Sequence, residues 1–119
     1  MKTFNYLNKE NRPWGVFYVI HEEKNYKLKR LEVYSKQRLS YQYHSKRSEV
    51  WVIISGKAIV TKNGKVFKLE AGDSIDIPVG VKHRIENANE ETLIFIEVQT
   101  GLYFGEDDIV RLNDDYKRE

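Results

Sequence analysis

Short runs of β-branched and aromatic residues recur along the whole chain, and turn residues separate one run from the next. Asn63-Gly64, between two alternating runs, is the strongest of these turns, because a tight type I′ hairpin needs positive φ at both central residues. Gly56, Gly72 and Pro78-Val79-Gly80 mark further turns. No segment keeps a helical hydrophobic period over several turns. The pattern therefore predicts an all-β fold in which many short antiparallel strands form a sandwich or barrel.

Nine segments have the composition and alternation of β-strands. They cover residues 15–21, 26–34, 39–44, 49–55, 57–62, 65–69, 74–77, 83–87 and 93–100. A chain of 119 residues has the size of one domain, which we divide into an N-terminal arm (1–11), a barrel (12–100) and a C-terminal tail (101–119). A short helix is predicted within the tail, at residues 107–118.

Two of the predicted strands are apolar on both faces. Val50, Val52 and Ile54 alternate with Trp51 and Ile53, and residues 93–98 follow a similar pattern. Strands of this kind are buried on both sides. They require another layer outside the sheets, either a second copy of the chain or the N-terminal arm wrapped over one face. On this basis we predict a homodimer.

Composition limits the possible functions. The formal net charge is +2, and the 32% of charged residues have both signs interspersed, so no face for nucleic acid is expected. The chain lacks cysteine, which excludes disulfides, thiolate-bound metal centres and cysteine nucleophiles. No stretch approaches the roughly 18 apolar residues of a membrane span, and the N-terminus lacks the apolar run of a secretory signal. We therefore expect a cytoplasmic protein without membrane or nucleic-acid partners.

Two of the three histidines stand within an ordered pattern of polar residues. Gln42 and His44 are two positions apart, so on a strand both side chains project from one face. Glu49 follows after a polar turn, and His83 follows a second turn further along the chain. Imidazole nitrogens and carboxylate oxygens are common ligands of metal ions. His21 lies outside this pattern, and we interpret it as a packed or surface residue.

These polar residues form two motifs that resemble the paired motifs of cupins. The first motif usually has His-x-His, then Glu, then Gly, and here Gln replaces the first His in Gln42-Tyr43-His44, Glu49 and Gly56. The second motif, G-x5-P-x-G-x2-H-x3-N, is matched at every fixed position by Gly72, Pro78, Gly80, His83 and Asn87. The resemblance implies a cupin-type double-stranded β-helix, or jelly-roll barrel, in a single domain.

The Gln-x-His form of the first motif resembles the zinc site of phosphomannose isomerases. Residues 12–118 resemble the cupin domain of type II mannose-6-phosphate isomerase, in segments such as Arg12-Pro13-Trp14-Gly15, Arg47-Ser48-Glu49-Val50-Trp51 and Gly105-Glu106-Asp107-Asp108-Ile109-Val110-Arg111. In that family the domain usually follows a mannose-1-phosphate guanylyltransferase domain. That part is not within these 119 residues, so we expect a stand-alone cupin domain.

The resemblance implies a metal-dependent isomerase that interconverts mannose 6-phosphate and fructose 6-phosphate for GDP-mannose and polysaccharide synthesis. Gln42, His44, Glu49 and His83 would bind one divalent metal, with Zn²⁺ favoured over Mn²⁺, Fe²⁺, Co²⁺ or Ni²⁺. The chain departs from the family at Val50, where His is common, but this change leaves the four ligands intact.

A sugar phosphate requires cationic partners, and arginine pairs with phosphate through two parallel hydrogen bonds. Arg38 shares strand parity with Gln42 and should face the metal, whereas Arg84 would do so only if a bulge turned it. We assign both arginines to substrate binding. Lys29 is predicted to point inward, where an unpaired cation without a role would be costly. We assign Lys29 to catalysis together with Arg47, which lies in the turn between the ligands.

Two other functions fit the same residues. A cupin-type nucleotide-sugar isomerase or epimerase would use His44 and His83 as acid and base without a metal, so that Gln42 would be dispensable. A non-catalytic sugar-binding module would bind sugar phosphates without turnover.

Overall fold

The computed structural model describes residues 3–118 as eleven β-strands without a helix, which confirms the all-β prediction. The strands are β1 (Asn8–Arg12), β2 (Gly15–Glu22), β3 (Tyr26–Val33), β4 (Tyr41–Tyr43), β5 (Arg47–Ser55), β6 (Lys57–Lys62), β7 (Lys65–Glu70), β8 (Ser74–Ile77), β9 (His83–Glu86), β10 (Leu93–Gly101) and β11 (Val110–Asn113). Within the described part of the chain, no helix has the length and apolar character that crossing a membrane requires.

Two antiparallel sheets enclose the core. The first sheet has six strands in the order β1-β2-β3-β10-β5-β8, and the second has five in the order β11-β4-β9-β6-β7. The chain changes sheets several times between β3 and β11, so neighbouring strands in a sheet are often distant in sequence. Apolar side chains from both inner faces form one cluster of Trp14, Phe17, Val19, Leu31, Val33, Trp51, Ile53, Ala58, Val60, Ile77, Ile85, Leu93 and Phe95.

Strand β5 shows how the sequence positions this core. Trp51 and Ile53 are buried, whereas Val50 and Ile54 on the same strand are 44% and 48% exposed. Successive side chains of a strand point to opposite faces, so the buried residues form a row with a period of two. The same alternation directs Glu49 inward. One strand therefore carries apolar and charged residues on its inner face.

The predicted Asn63-Gly64 turn is confirmed as the hairpin between β6 and β7. Lys62 pairs with Lys65 across the turn. Both central residues have positive φ, at 48° for Asn63 and 81° for Gly64. These values are the ones that a tight hairpin with right-handed strand twist requires.

The structure corrects the predictions for the two ends of the chain. The helix predicted for residues 107–118 is wrong, because β11 lies there and pairs with β4 at the edge of the second sheet. The N-terminal arm contains most of β1, which pairs with β2 at the edge of the first sheet. Both edge strands have a weak apolar pattern of their own, and pairing with a neighbouring strand decides their conformation.

Aromatic residues before β1 cover part of the outer face of the first sheet. The ring centroids of Phe4 and Tyr6 lie 4.9 and 5.1 Å from that of Tyr18. The Arg30 guanidinium lies 4.9 Å from the centroid of the Phe4 ring. These contacts lie on β2 and β3, so they do not cover the outer face of β5, where Val50 and Ile54 are 44% and 48% exposed.

The homodimer stays a prediction, and the outward row of β5 and β10 provides its test. Val50 lies opposite Val98 and Val52 lies opposite Ile96, so these aliphatic side chains form one patch. An aliphatic patch is complementary to a second copy of itself across a two-fold axis. Light scattering should give twice the mass of one chain, and Val50→Lys should give a folded monomer.

Val66→Lys is the matched control for this prediction. Val66 is 63% exposed on β7, in the other sheet, so its substitution should leave the dimer intact. A wild-type chain that stays monomeric at every concentration would contradict the predicted homodimer.

Gly15 begins β2 where two strands come unusually close. A Cβ atom at this position would lie 1.9 Å from the Glu32 carbonyl oxygen, so the backbone would have to move. Gly15→Ala should therefore lower the free energy of unfolding by about 2 kcal/mol or more. A Cβ atom on Gly64 meets nothing within 4 Å, so Gly64→Ala should cost only about 1 kcal/mol, from its positive φ. Urea unfolding measures both losses, and equal losses would contradict the close approach.

Candidate metal centre

Three of the predicted metal ligands converge between the two sheets. His44 follows β4 and His83 begins β9 in the second sheet, while Glu49 lies on β5 in the first. One donor atom from each residue lies within 4.8 Å of the other two, and all three side chains are buried. Both halves of the barrel therefore contribute to a compact group of two nitrogen donors and one carboxylate.

A backbone hydrogen bond orients each imidazole. Nδ1 of His83 lies 2.9 Å from the Val81 carbonyl oxygen, and Nδ1 of His44 lies 2.5 Å from that of Asp108. Because a carbonyl oxygen only accepts, we assign the proton to Nδ1 in both rings, which leaves a lone pair on each Nε2. Nε2 of His83 is buried and has no hydrogen-bond partner within residues 3–118. A lone pair of this kind beside a carboxylate is an arrangement that a bound cation completes.

Glu49 carries the negative charge of the centre. Its Oε2 accepts a hydrogen bond from Nε of Arg47 at 2.9 Å, and its Oε1 accepts one from Nε1 of Trp51 at 2.9 Å. Burial would raise the pKa of Glu49, but the His44 imidazole and the Arg47 guanidinium outweigh burial and lower it to about 2. Burial also lowers the pKa of His44 and of His83. An ionised carboxylate and neutral imidazoles are the protonation states that bind metals.

Gln42 lies next to this group. It is directly opposite His83 in the pairing of β4 with β9, and its side chain is buried. Directly paired residues share a face of the sheet, so the Gln42 amide points toward the same side as His83. Its Oε1 accepts a hydrogen bond from Oγ of Ser40 at 3.3 Å. The role of Gln42 as fourth ligand stays a prediction.

The chemistry of these donors fits a divalent transition metal. Neutral imidazole, carboxylate and amide oxygen are ligands that Zn²⁺ and neighbouring metals accept. His44, Glu49 and His83 could hold such an ion, with Gln42 adding a neutral oxygen donor.

The centre lies beside a pocket lined by both sheets and by the C-terminal tail. The tail is attached next to the centre, because the Asp108 carboxylate accepts hydrogen bonds from the backbone N–H groups of Ser45 and Lys46 at 3.0 and 2.9 Å. The excess of positive charge on the pocket wall favours an anionic ligand. The charged lining residues are the cations Arg12, Lys29, Arg47, Arg111 and Arg118 and the acids Glu49, Glu97 and Glu106.

Lys29 and Arg47, predicted as catalytic residues, both line this pocket and are buried. Nζ of Lys29 lies 2.8 Å from Oε2 of Glu106 and 4.1 Å from the centroid of the Phe17 ring. Nη2 of Arg47 lies 3.3 Å from Nε2 of His44, and its Nη1 lies 3.9 Å from Oε2 of Glu106. The Glu106 carboxylate thus compensates the charges of both cations, because a buried charge without a partner would be costly.

Sequence reasoning did not select Glu97, although it is buried in the pocket wall. It lies on β10 opposite Lys29 and Trp51, and its Oε2 accepts a hydrogen bond from Nε2 of Gln99 at 2.6 Å. Burial, together with the charge of Glu49, raises the pKa of Glu97 to about 8. The pKa values of the two buried glutamates are therefore shifted in opposite directions, that of Glu49 downward and that of Glu97 upward. Strand parity could have identified Glu97, because alternate residues of β10 face inward.

Arg38 and Arg84, predicted to bind substrate, are not among the residues that line the pocket. Nε and Nη2 of Arg38 donate to the Asp115 carboxylate at 2.7 and 2.9 Å. Strand β4 has only three residues, so the strand parity assumed for Arg38 does not extend to it. Nη2 of Arg84 donates to the carbonyl oxygen and to Oδ1 of Asn113 at 2.9 and 2.8 Å. Both arginines attach the tail to the second sheet.

Comparison with known proteins connects this site to a family. Residues 2–114 match the family model described as mannose-6-phosphate isomerase C-terminal. A mannose-1-phosphate guanylyltransferase of Salmonella montevideo is 45% identical over 107 residues, which are 90% of this chain and 23% of that protein. The xanthan biosynthesis protein XanB of Xanthomonas campestris pv. campestris (strain B100) is 44% identical over 107 residues, which are likewise 90% of this chain and 23% of that protein. The chain thus spans less than a quarter of the length of these relatives.

Solved structures identify the fold. An uncharacterized conserved protein of Klebsiella pneumoniae with a double-stranded β-helix domain has a TM-score of 0.76 at 22% identity, covering 95% of this chain and 93% of that one. The cupin domain of Schizosaccharomyces pombe Cnp3 has a TM-score of 0.74 at 17% identity, over 80% of this chain and 69% of that one. These similarities confirm the predicted cupin-type double-stranded β-helix. By its match to the family model, the chain belongs to the mannose-6-phosphate isomerase C-terminal family.

Proposed function

We propose that the chain is a metal-dependent sugar-phosphate isomerase that interconverts mannose 6-phosphate and fructose 6-phosphate. The observation that carries the proposal is the convergence of His44, Glu49 and His83 beside a pocket with an excess of cations. Family membership supports the isomerase chemistry. The name of XanB supports a role in polysaccharide synthesis, which we place in the cytoplasm.

The reaction moves a proton between C1 and C2 of the sugar. A divalent metal, which we propose to be Zn²⁺, would supply Lewis-acid polarisation of the sugar carbonyl and hydroxyl oxygens. Gln42, His44, Glu49 and His83 would hold it. The backbone hydrogen bonds at Nδ1 of both imidazoles fix the orientation of the rings and leave Nε2 of each ring as the donor atom for the metal.

Lys29 and Arg47 are the residues that we assign to the reacting part of the substrate. Their ammonium and guanidinium groups are fixed donors inside a buried pocket, where hydrogen bonds to oxygens that gain negative charge are strong. Both groups face Glu106 of the tail. A bound sugar would share these donors with Glu106, so the Glu106 carboxylate would lie near the reacting carbons of the sugar.

Elemental analysis of the purified chain should find one divalent metal per chain, with zinc as the main element. Glu49→Gln removes the anionic donor and keeps the shape of the side chain, so the metal content should fall about tenfold or more. Glu90→Gln is the matched control, because the Glu90 side chain is 88% exposed, and this variant should keep the wild-type content. Circular dichroism checks that both variants fold. Wild-type metal content in Glu49→Gln would contradict the assigned centre.

Incubation with mannose 6-phosphate should produce fructose 6-phosphate, stop after the metal is stripped, and resume when Zn²⁺ is added. Lys29→Met should lower kcat by roughly a hundredfold, because a buried donor to the developing charge is lost. A coupled assay for fructose 6-phosphate measures both effects. The proposal fails if no metal-dependent product forms.

The same assay separates the two alternative functions. Activity on a nucleotide sugar that persists without metal and in Gln42→Ala would favour the cupin-type isomerase or epimerase. Saturable binding of mannose 6-phosphate without turnover would favour the non-catalytic module.

A further inference from the structure

Three arginines that sequence reasoning did not select line the pocket. Arg12 ends β1, Arg111 lies on β11, and Arg118 lies near the end of the tail. Strands β1 and β11 are the edge strands of the first and second sheets. Three separate segments thus bring guanidinium groups to the pocket, and we refer to Arg12, Arg111 and Arg118 as the arginine cluster.

The strand register directs Arg111 toward the metal centre. Arg111 is directly opposite Gln42 on β4, and Gln42 is directly opposite His83 on β9. Directly paired residues share a face of the sheet, so the three side chains form one row on the inner face of the second sheet. The arginine cluster and the metal centre therefore belong to the same cavity. Strand β4 lies between Arg111 on β11 and His83 on β9.

Arg111 has a donor that the protein itself does not satisfy. Its Nε is buried and lacks a hydrogen-bond partner within residues 3–118. By contrast, Arg118 donates to both oxygens of Asp114, at 2.7 and 3.1 Å, and Arg12 lies 2.9 Å from Oε1 of Glu10. A buried charged donor without a partner is costly, so its persistence in a pocket wall indicates a ligand.

The charges in the cluster also oppose one another. Burial lowers the pKa of Arg111, and the charges of Arg118 and Arg12 lower it further, while Asp114 raises it. Like charges that line one pocket repel one another, and a bound anion lowers this repulsion. Lys29 and Arg47 face the tail carboxylate of Glu106, although Nη1 of Arg47 is also buried without a hydrogen-bond partner within residues 3–118. In the arginine cluster, Glu10 pairs with Arg12 and Asp114 pairs with Arg118, so Arg111 is the member without a carboxylate partner among the described residues.

We propose that Arg12, Arg111 and Arg118 form a binding site for the phosphate group of a phosphomonoester ligand. Guanidinium groups suit this role, because their planar forks donate paired hydrogen bonds to phosphate oxygens. The identity of the sugar attached to this phosphate rests on the proposed isomerase function, whereas phosphate binding by the cluster does not. The cluster takes the role that the sequence assigned to Arg38 and Arg84.

Isothermal titration calorimetry of the purified chain with inorganic phosphate, and separately with mannose 6-phosphate, tests this site. Arg111→Gln should weaken binding of both ligands by about tenfold or more, because a charge-assisted contact is lost. Arg12→Gln is a second variant on another strand and should weaken binding in the same direction. Arg30→Gln is the matched control, because Arg30 faces outward, pairs with Glu32 at 3.2 Å and should keep wild-type affinity. Thermal melting checks that each variant folds.

The outcomes separate this site from the proposed reaction. Loss of phosphate binding in Arg111→Gln, in a chain that shows no isomerase activity, would support the site and contradict the reaction. An active isomerase whose KM for mannose 6-phosphate is unchanged in Arg111→Gln and Arg12→Gln would overturn the site and leave the reaction standing. Equal affinity of wild type and both variants for inorganic phosphate, or no saturable phosphate binding by the wild type, would also overturn the site.

Discussion

Glu49 places a negative charge inside the barrel, and burying a carboxylate costs several kcal/mol unless charges and hydrogen bonds surround it. Arg47 and Trp51, two positions before and after it on β5, donate to its two oxygens. His44 approaches from the other sheet, with Nε2 3.3 Å from Oε2 of Glu49. The strand alternation that builds the apolar core therefore also builds the carboxylate's environment. Core and site share one row of side chains and cannot be altered independently.

The C-terminal tail is a structural part of the site. Asp108 caps the turn before β5 through its carboxylate and orients His44 through its carbonyl oxygen. Glu106 compensates Lys29 and Arg47, and Arg111 extends the inner row of the second sheet. A change in the tail would thus affect the orientation of His44 and the charge of the pocket together. Ion pairs of Lys29 with Glu106 and of Arg38 with Asp115 attach the tail to the rest of the domain.

The pocket has two regions of different electrostatic character. Around Glu49, each charge has a compensating partner, and burial together with the charge of Glu49 raises the pKa of Glu97. Around Arg111, positive charges outnumber their carboxylate partners. A ligand with a neutral sugar and a charged phosphate matches this asymmetry, since the phosphate gains most from the second region and the sugar oxygens from the first. The two proposals therefore describe the two ends of one ligand.

The sequence by itself determined the strands with strong alternation, the Asn63-Gly64 hairpin and the convergence of His44, Glu49 and His83. These features depend on local turn chemistry and strand periodicity, together with motifs that resemble a known family. Only the tertiary structure decided the edge strands β1 and β11, because their conformation comes from pairing with β2 and β4 and not from their own apolar pattern.

The tertiary structure also decided which cations face the pocket. Strand parity failed for Arg38 because β4 is only three residues long, so Arg38 turns outward to Asp115. Arg111 reaches the pocket through the register of β11 with β4, a strand far away in sequence, which no local pattern records. Local patterns specify which face a residue occupies within a regular strand, but the charge environment of a pocket depends on which distant strands become neighbours.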